Sequence, residues 1–130
     1  MVKALFDNNI LIDFLNAAPE ARDELARHPE KAISVITWME VMVGAPPAAD
    51  TATRDFLHEF HLIELDDKIA ERAVSLRRAQ RLELPDAIVW ASAQIHGMLL
   101  VTRNSKDFPQ DDPGVRMPYR LPLPSGLPAG

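Results

Sequence analysis

A chain of 130 residues that is 47% hydrophobic and 25% charged fits one globular domain and excludes wholesale disorder. It contains no cysteine, which rules out a disulfide framework and thiolate metal sites and fits a reducing cytoplasm. Its formal net charge of -5 argues against a protein that simply coats nucleic-acid phosphates, though not against a nuclease whose acidic site is offset by a bound cation.

The N-terminus places Asp7 too early for a signal-peptide core, and no apolar run is long enough to span a bilayer, so a soluble, unprocessed protein with no membrane partner is expected. Val2 to Phe6 reads as a buried strand broken by Asp7-Asn8-Asn9. A helix follows from Ile10, limited by Pro19, and a second covers Glu20 to Arg27. Ala32 to Ile36 is β-rich and reads as the second strand, after which Thr37 opens a helix that ends at Gly44-Ala45-Pro46-Pro47. Ala52 to Phe60 reads as helix, and His61 to Leu65 as a third strand closed by Asp66-Asp67.

Ile69, Ala73, Leu76 and Leu82 then recur at helical spacing, opposite a stripe of Lys68, Arg72, Arg77, Arg78 and Arg81. Leu84-Pro85-Asp86 leads into a helix stopped by Gly97, and Met98 to Thr102 reads as the fourth strand. Prolines concentrate beyond Phe108. A globular domain over residues 1–120 and a Pro-rich tail over residues 121–130, partly disordered, are expected. Strands alternating with helices imply an α/β fold with a central parallel sheet flanked by helices.

Ligands of open parallel sheets bind beyond the carboxyl ends of the strands. Asp7 follows the first strand, Glu40 lies just past the second, and Arg103, Asn104 and Asp107 follow the fourth. Asp86 opens the helix that feeds the fourth strand. Carboxylates gathered at one rim raise one another's pKa, and a hard cation resolves the conflict. Oxygen donors without cysteine point to Mg²⁺, with Mn²⁺ also suited, rather than Zn²⁺.

Each residue also has a purely structural reading. Asp7 can cap the first helix, Asp86 can complement a helix dipole, and Thr37-x-x-Glu40 has the form of a capping box. Three such coincidences at one rim favour an assembled site. Asp13 reads as facing solvent or a partner, and Asp66-Asp67 as a turn and cap. The arginine stripe reads first as a solvated helix face and second as an RNA contact. Arg103 is placed to grip a phosphate with its bidentate fork. Trp38 and Trp90 read as core or dimer interface, and the four histidines show no metal-ligand spacing.

Asp7-Asn8-Asn9-Ile10-Leu11-Ile12-Asp13 resembles the opening motif of PIN-domain toxins of the VapC and FitB type. Thr37-Trp38-Met39-Glu40-Val41, Leu84 to Ala93 and Leu100 to Phe108 are similar to their later motifs, in the same order and spacing. The resemblance implies a single PIN-like domain and Mg²⁺-dependent endonucleolytic cleavage of RNA, by the toxin of a type II toxin–antitoxin system. It implies a homodimer, and a VapB- or FitA-like antitoxin covering the active site, with a higher toxin–antitoxin assembly also open. By motif position Asp7 and Asp86 hold the metal and Glu40 completes the site, while the family's fourth acidic position falls on Asn104, with Asp107 as a substitute for the missing charge. Asn8 stands where the family commonly has Thr or Ser.

Two other functions compete. A PIN-like module that binds RNA or a partner without cutting is motivated by Asn104. A receiver-type phosphoacceptor domain would need an adjacent acidic pair after the first strand, where this chain has Asn8 and Asn9.

Overall fold

The computed structural model describes residues 3–121. Five strands, β1 (Ala4–Phe6), β2 (Lys31–Ser34), β3 (His61–Ile63), β4 (Leu99–Val101) and β5 (Val115–Arg116), form one sheet in the order β3-β2-β1-β4-β5. Every strand pair is parallel. Six helices complete the fold: α1 (Asn8–Leu15), α2 (Pro19–Arg27), α3 (Val35–Gly44), α4 (Asp50–Leu57), α5 (Asp67–Ala79) and α6 (Leu84–Ile95). The expected tail beyond residue 121 lies outside the described residues.

Strand alternation sends successive side chains to opposite faces, and both faces are buried. Leu5, Ala32 and Leu100 pack with Ile69, Ala73 and Leu76 of α5 and with the apolar side of α6. Their neighbours Ala4, Phe6, Ile33 and Val101 pack on the other face with Ile10, Leu11, Ala21, Leu25 and Leu57. Two cores thus sandwich the sheet in a three-layer structure; the central strands β1 and β4 are wholly apolar, while edge strand β3 leaves His61 and Leu62 exposed.

The chain leaves β1 toward β2 and β3, then returns to build β4 and β5 on the other edge. The direction of winding reverses between β1 and β4, and a crevice opens there at the strands' carboxyl ends. Asp7 N–H donates to the Val101 carbonyl at 2.9 Å, closing the two strand ends on each other.

Three local readings are corrected. Helix α3 begins at Val35, capped by Ser34, whose Oγ accepts from the Ile36 N–H at 3.1 Å. Thr37 is therefore inside the helix rather than its cap, and no capping box ties it to Glu40; its Oγ1 is buried without a partner among the described residues. Ile36 is helical rather than part of β2. Residues 115–116 add a fifth strand where only irregular chain was expected.

Gly97 ends α6 as expected, at φ +64, with Met98 N–H on the Ala93 carbonyl at 2.8 Å and Gly97 N–H on that of Gln94 at 3.3 Å. Helix α1 ends in the same way. Ala18 N–H reaches the Asp13 carbonyl and Ala17 N–H that of Phe14, both at 2.9 Å, but the left-handed position (φ 65) is held by Ala17. A Cβ is strained there. Ala17→Gly is expected to raise unfolding stability by about 0.5–1 kcal/mol, read as a higher denaturation midpoint. A lower midpoint would show that Ala17 makes contacts outweighing the strain.

Candidate active site

Asp7 is the most enclosed acid among the described residues, 2% exposed at the end of β1. It caps α1, its Oδ1 accepting from the Asn8 N–H at 2.8 Å. Its Oδ2 accepts from Thr102 Oγ1 at 2.8 Å and from Asn9 Nδ2 at 3.3 Å. Thr102 follows β4, so the side-chain bond crosses the crevice between the two strands. A carboxylate has about four acceptor positions. Three are used, which leaves one free.

The other acids lie within electrostatic reach. Burial raises the Asp7 pKa, against the three hydrogen bonds, and the Asp107 charge raises it further. Glu40, on the exposed side of α3, is raised by desolvation and then by the Asp7 charge. Asp86, in the first turn of α6, is pushed up to about 6 by desolvation and then by Asp7, Asp107, Glu40 and Glu83. Four acids predicted from separate parts of the chain, Asp7, Glu40, Asp86 and Asp107, thus share one field. Desolvation, and after it the repulsion between them, overrides the helix dipole that favours a carboxylate at Asp86.

Asn104 sits beside this group, with both ends of its carboxamide committed to Asp107. Its Nδ2 donates to Asp107 Oδ2 at 2.9 Å, and its Oδ1 accepts the Asp107 N–H at 3.3 Å. Asn104 N–H in turn donates to Thr102 Oγ1 at 3.1 Å, so the loop after β4 is tied back to the Asp7 partner.

Arg103 is occupied. Its Nε and Nη2 donate to Asp13 at 2.5 and 2.9 Å, and Tyr119 Oη donates to the same carboxylate at 2.9 Å. Asp13 is accordingly buried, at 5% exposure, rather than facing solvent or a partner. Here the guanidinium fork grips an internal carboxylate, where a contact to a substrate phosphate was expected. The pair holds the post-β4 loop against α1. A parallel clamp joins Glu24 of α2 to Arg116 of β5 at 2.6 and 2.9 Å, with His28 on the same carboxylate at 2.7 Å. Desolvation opposes ionisation of Glu24, but Arg116 and His28 win and its pKa falls.

Sequence reasoning missed Thr102, Asn9, Asp13, Tyr119 and Glu83. Asn9 rather than Asn8 supplies the side-chain hydrogen bond, which its place two residues after Asp7 could have signalled. Nothing local marks Tyr119, which arrives from 106 residues away. Asp66 caps α5 as expected, accepting from the Ile69 N–H at 2.9 Å. Trp90 is core, edge-on to Phe108, and Trp38 lies partly buried beneath the Arg54 guanidinium.

The donor set suits a hard cation: carboxylate oxygens and one buried Asp with a free acceptor position. Among the described residues no three His, Asp or Glu side chains stand close enough together to hold a metal ion between them as they are placed. The large concavities lie elsewhere. One of about 610 Å³ is lined by α1, α2 and α4 residues such as Phe14, Leu25 and Phe56. Another of about 470 Å³ runs between α1 and α3, past Ile12, Leu15 and Val41. The first also carries Arg22, Lys31, Asp55 and Glu59, the second is mainly apolar, and neither contains an acid of the cluster. No helix among the described residues is long and apolar enough to cross a membrane.

The PIN domain family model matches residues 4–110. No curated protein matches the chain. Among solved structures, a toxin–antitoxin complex from Klebsiella pneumoniae contains a chain 50% identical to this one, with a TM-score of 0.86, covering 91% of this chain and 99% of that chain. Two more distant structures share the fold. FitAcB from Neisseria gonorrhoeae is 19% identical, with a TM-score of 0.74 and coverage of 91% and 99%. VapBC2 from Rickettsia felis, bound to a promoter DNA fragment, is 22% identical, with a TM-score of 0.73 and coverage of 88% and 96%.

Proposed function

The chain belongs to the PIN-domain family, and from that premise we propose that it is a Mg²⁺-dependent endoribonuclease, the toxin of a VapC/FitB-type pair held in check by an antitoxin. The observation that carries the reading is the sharing of one field by Asp7, Glu40, Asp86 and Asp107 at the crevice between β1 and β4. A cluster of this kind is unfavourable in the metal-free protein and becomes favourable around a cation. The similarity to a chain of the Klebsiella pneumoniae complex supports the antitoxin partner.

Asp7 and Asp86 would hold the cation most directly, with Glu40 and Asp107 at its flanks. Mg²⁺ usually keeps several waters. When bound, it would offset the clustered charge, polarise water and stabilise the charge that develops on a phosphodiester. The chain's own contribution is orientation. Thr102 and Asn9 fix the rotamer of Asp7, Asn104 fixes that of Asp107, and the Arg103–Asp13 pair fixes the loop on which Asn104 and Asp107 ride.

The test is incubation of antitoxin-free protein with a structured RNA pool, in Mg²⁺, in Mn²⁺ and in chelator. Cleavage that needs metal supports the reading. Metal-replete protein that binds RNA intact overturns it in favour of a non-cutting module. Asn104 is a positioning residue here. Asn104→Ala should release Asp107 and weaken Mn²⁺ affinity by about 10-fold, within the range for residues that orient ligands, as measured by calorimetry on folded protein. Unchanged affinity would remove Asp107 from the site.

A further inference from the structure

We infer that Arg77, Arg78 and Arg81, at the tip of the α5–α6 hairpin, form a docking surface for the phosphate backbone of RNA beside the acidic rim. The inference rests on the ribonuclease reading and adds to it a place for the substrate. It starts from an electrostatic problem. The chain carries a net charge of -5, and its rim gathers four carboxylates. A polyanion approaching that rim is repelled unless cations nearby are free to receive it.

Lys106, exposed beside Asp107, is a single charge, and several of the chain's arginines are engaged. Arg103 is bound to Asp13, Arg116 to Glu24, and Arg54 to Asp50 at 2.8 Å. Arg77, Arg78 and Arg81 differ. All three are exposed, and none has an acidic partner among the described residues.

Their position follows from the hairpin. Helices α5 and α6 make the most extensive helix–helix contact of the fold and are separated only by residues 80–83. Arg72 Nε, midway along α5, donates to Gln94 Oε1 at the end of α6, at 2.6 Å. The helices are therefore antiparallel, and the C-terminal end of α5 lies beside the N-terminal end of α6. That is the end at which Asp86 enters the acidic cluster. From residue 77 to residue 85 the segment carries three arginines and one acid, Glu83.

Arg77 and Arg78 also complement the dipole at the end of α5. Arg81, beyond the helix, has no such role. Arginine forks match phosphate oxygens bidentately, and backbone contacts of this kind position a nucleic acid without reading its sequence.

The experiment measures binding of the full chain to a labelled RNA in chelator across a salt series, with cleavage of the same RNA assayed separately in Mg²⁺. For single strands the logarithm of affinity falls with the logarithm of salt by roughly 0.7 per phosphate contact. Arg77→Gln/Arg78→Gln/Arg81→Gln should flatten the slope by about 2, and the three-lysine variant should restore most of it. A control of equal charge, Arg22→Gln/Arg27→Gln/Lys68→Gln, should leave the slope close to wild type. All six positions are exposed, and circular dichroism checks folding. A triple-Gln slope equal to that of wild type, or a control slope equally flattened, overturns the inference. Wild-type protein that binds through these arginines yet never cleaves would sink the ribonuclease reading and leave the docking surface standing.

Discussion

Asp86→Asn is expected to abolish metal-dependent RNA cleavage and, in chelator, to make the protein harder to unfold. A cation that stabilises developing charge contributes several kcal/mol to the transition state, so loss of a principal ligand should lower the rate by on the order of 10³-fold. Asp7→Asn should match it. The stability effect follows from Asp86 alone. No hydrogen bond to its side chain is found among the described residues, so the change to Asn removes repulsion from Asp7, Asp107 and Glu40 and breaks little.

The pH dependence fixes the sign. The folded pKa of Asp86 is about 6, above its usual 3.8. Its contribution to stability is therefore fully present below about pH 4 and is lost as pH rises through 6. Wild type and Asp86→Asn should melt alike near pH 4 and diverge by pH 7.5, the variant higher by roughly 2–5 °C, since Asp86 is only partly buried and solvent screens part of the repulsion. Mg²⁺ should raise the wild-type midpoint and narrow the gap. A variant that melts lower than wild type at pH 7.5 in chelator would mean that Asp86 is not held in a repulsive cluster.

Arg103→Ala should be the most damaging substitution outside the acids. It strips a buried carboxylate, Asp13, of its bidentate partner and leaves it Tyr119 alone. Removing one member of a buried pair costs several kcal/mol. With the arginine about a third exposed, about 2 kcal/mol is expected in denaturant unfolding. Arg103→Lys should not restore it, because an ammonium cannot form two parallel bonds. Asp13→Leu/Arg103→Met, which removes both charges, should be closer to wild type than Arg103→Ala. If Arg103→Ala unfolds like wild type but binds RNA poorly, the arginine is a substrate contact after all.

The sequence was most legible where one short pattern decides one element. An apolar run followed by Asp marks β1, and Gly97 ends α6 because a left-handed residue is needed there. The parallel pairing of the strands followed from alternating strands and helices. The acids of the rim were legible as well, since carboxyl ends of strands lie together in any such sheet. Less legible were features settled by distant contacts. Val35, Ile36 and Thr37 are β-branched and look like strand, yet Ser34 caps them into a helix. Residues 115–116, between Pro113 and Pro118, carry too short a pattern to announce a strand, and β4 recruits them. Asp13 looks like a solvated charge on α1 until Arg103 and Tyr119 arrive from 90 and 106 residues away.

The place of β1 at the middle of the sheet governs when the site can exist. Its neighbour β2 is made within about thirty residues, but its other neighbour, β4, comes from the far end of the domain. Thr102, which steadies Asp7, is separated from it by 95 positions. Closing so long a loop is entropically costly and is rewarded only once β4 docks. A growing polypeptide on the ribosome therefore carries Asp7 for most of the domain's synthesis before Thr102, 95 positions later, is made to steady it. The acidic rim is complete only once the fourth strand has docked beside the first.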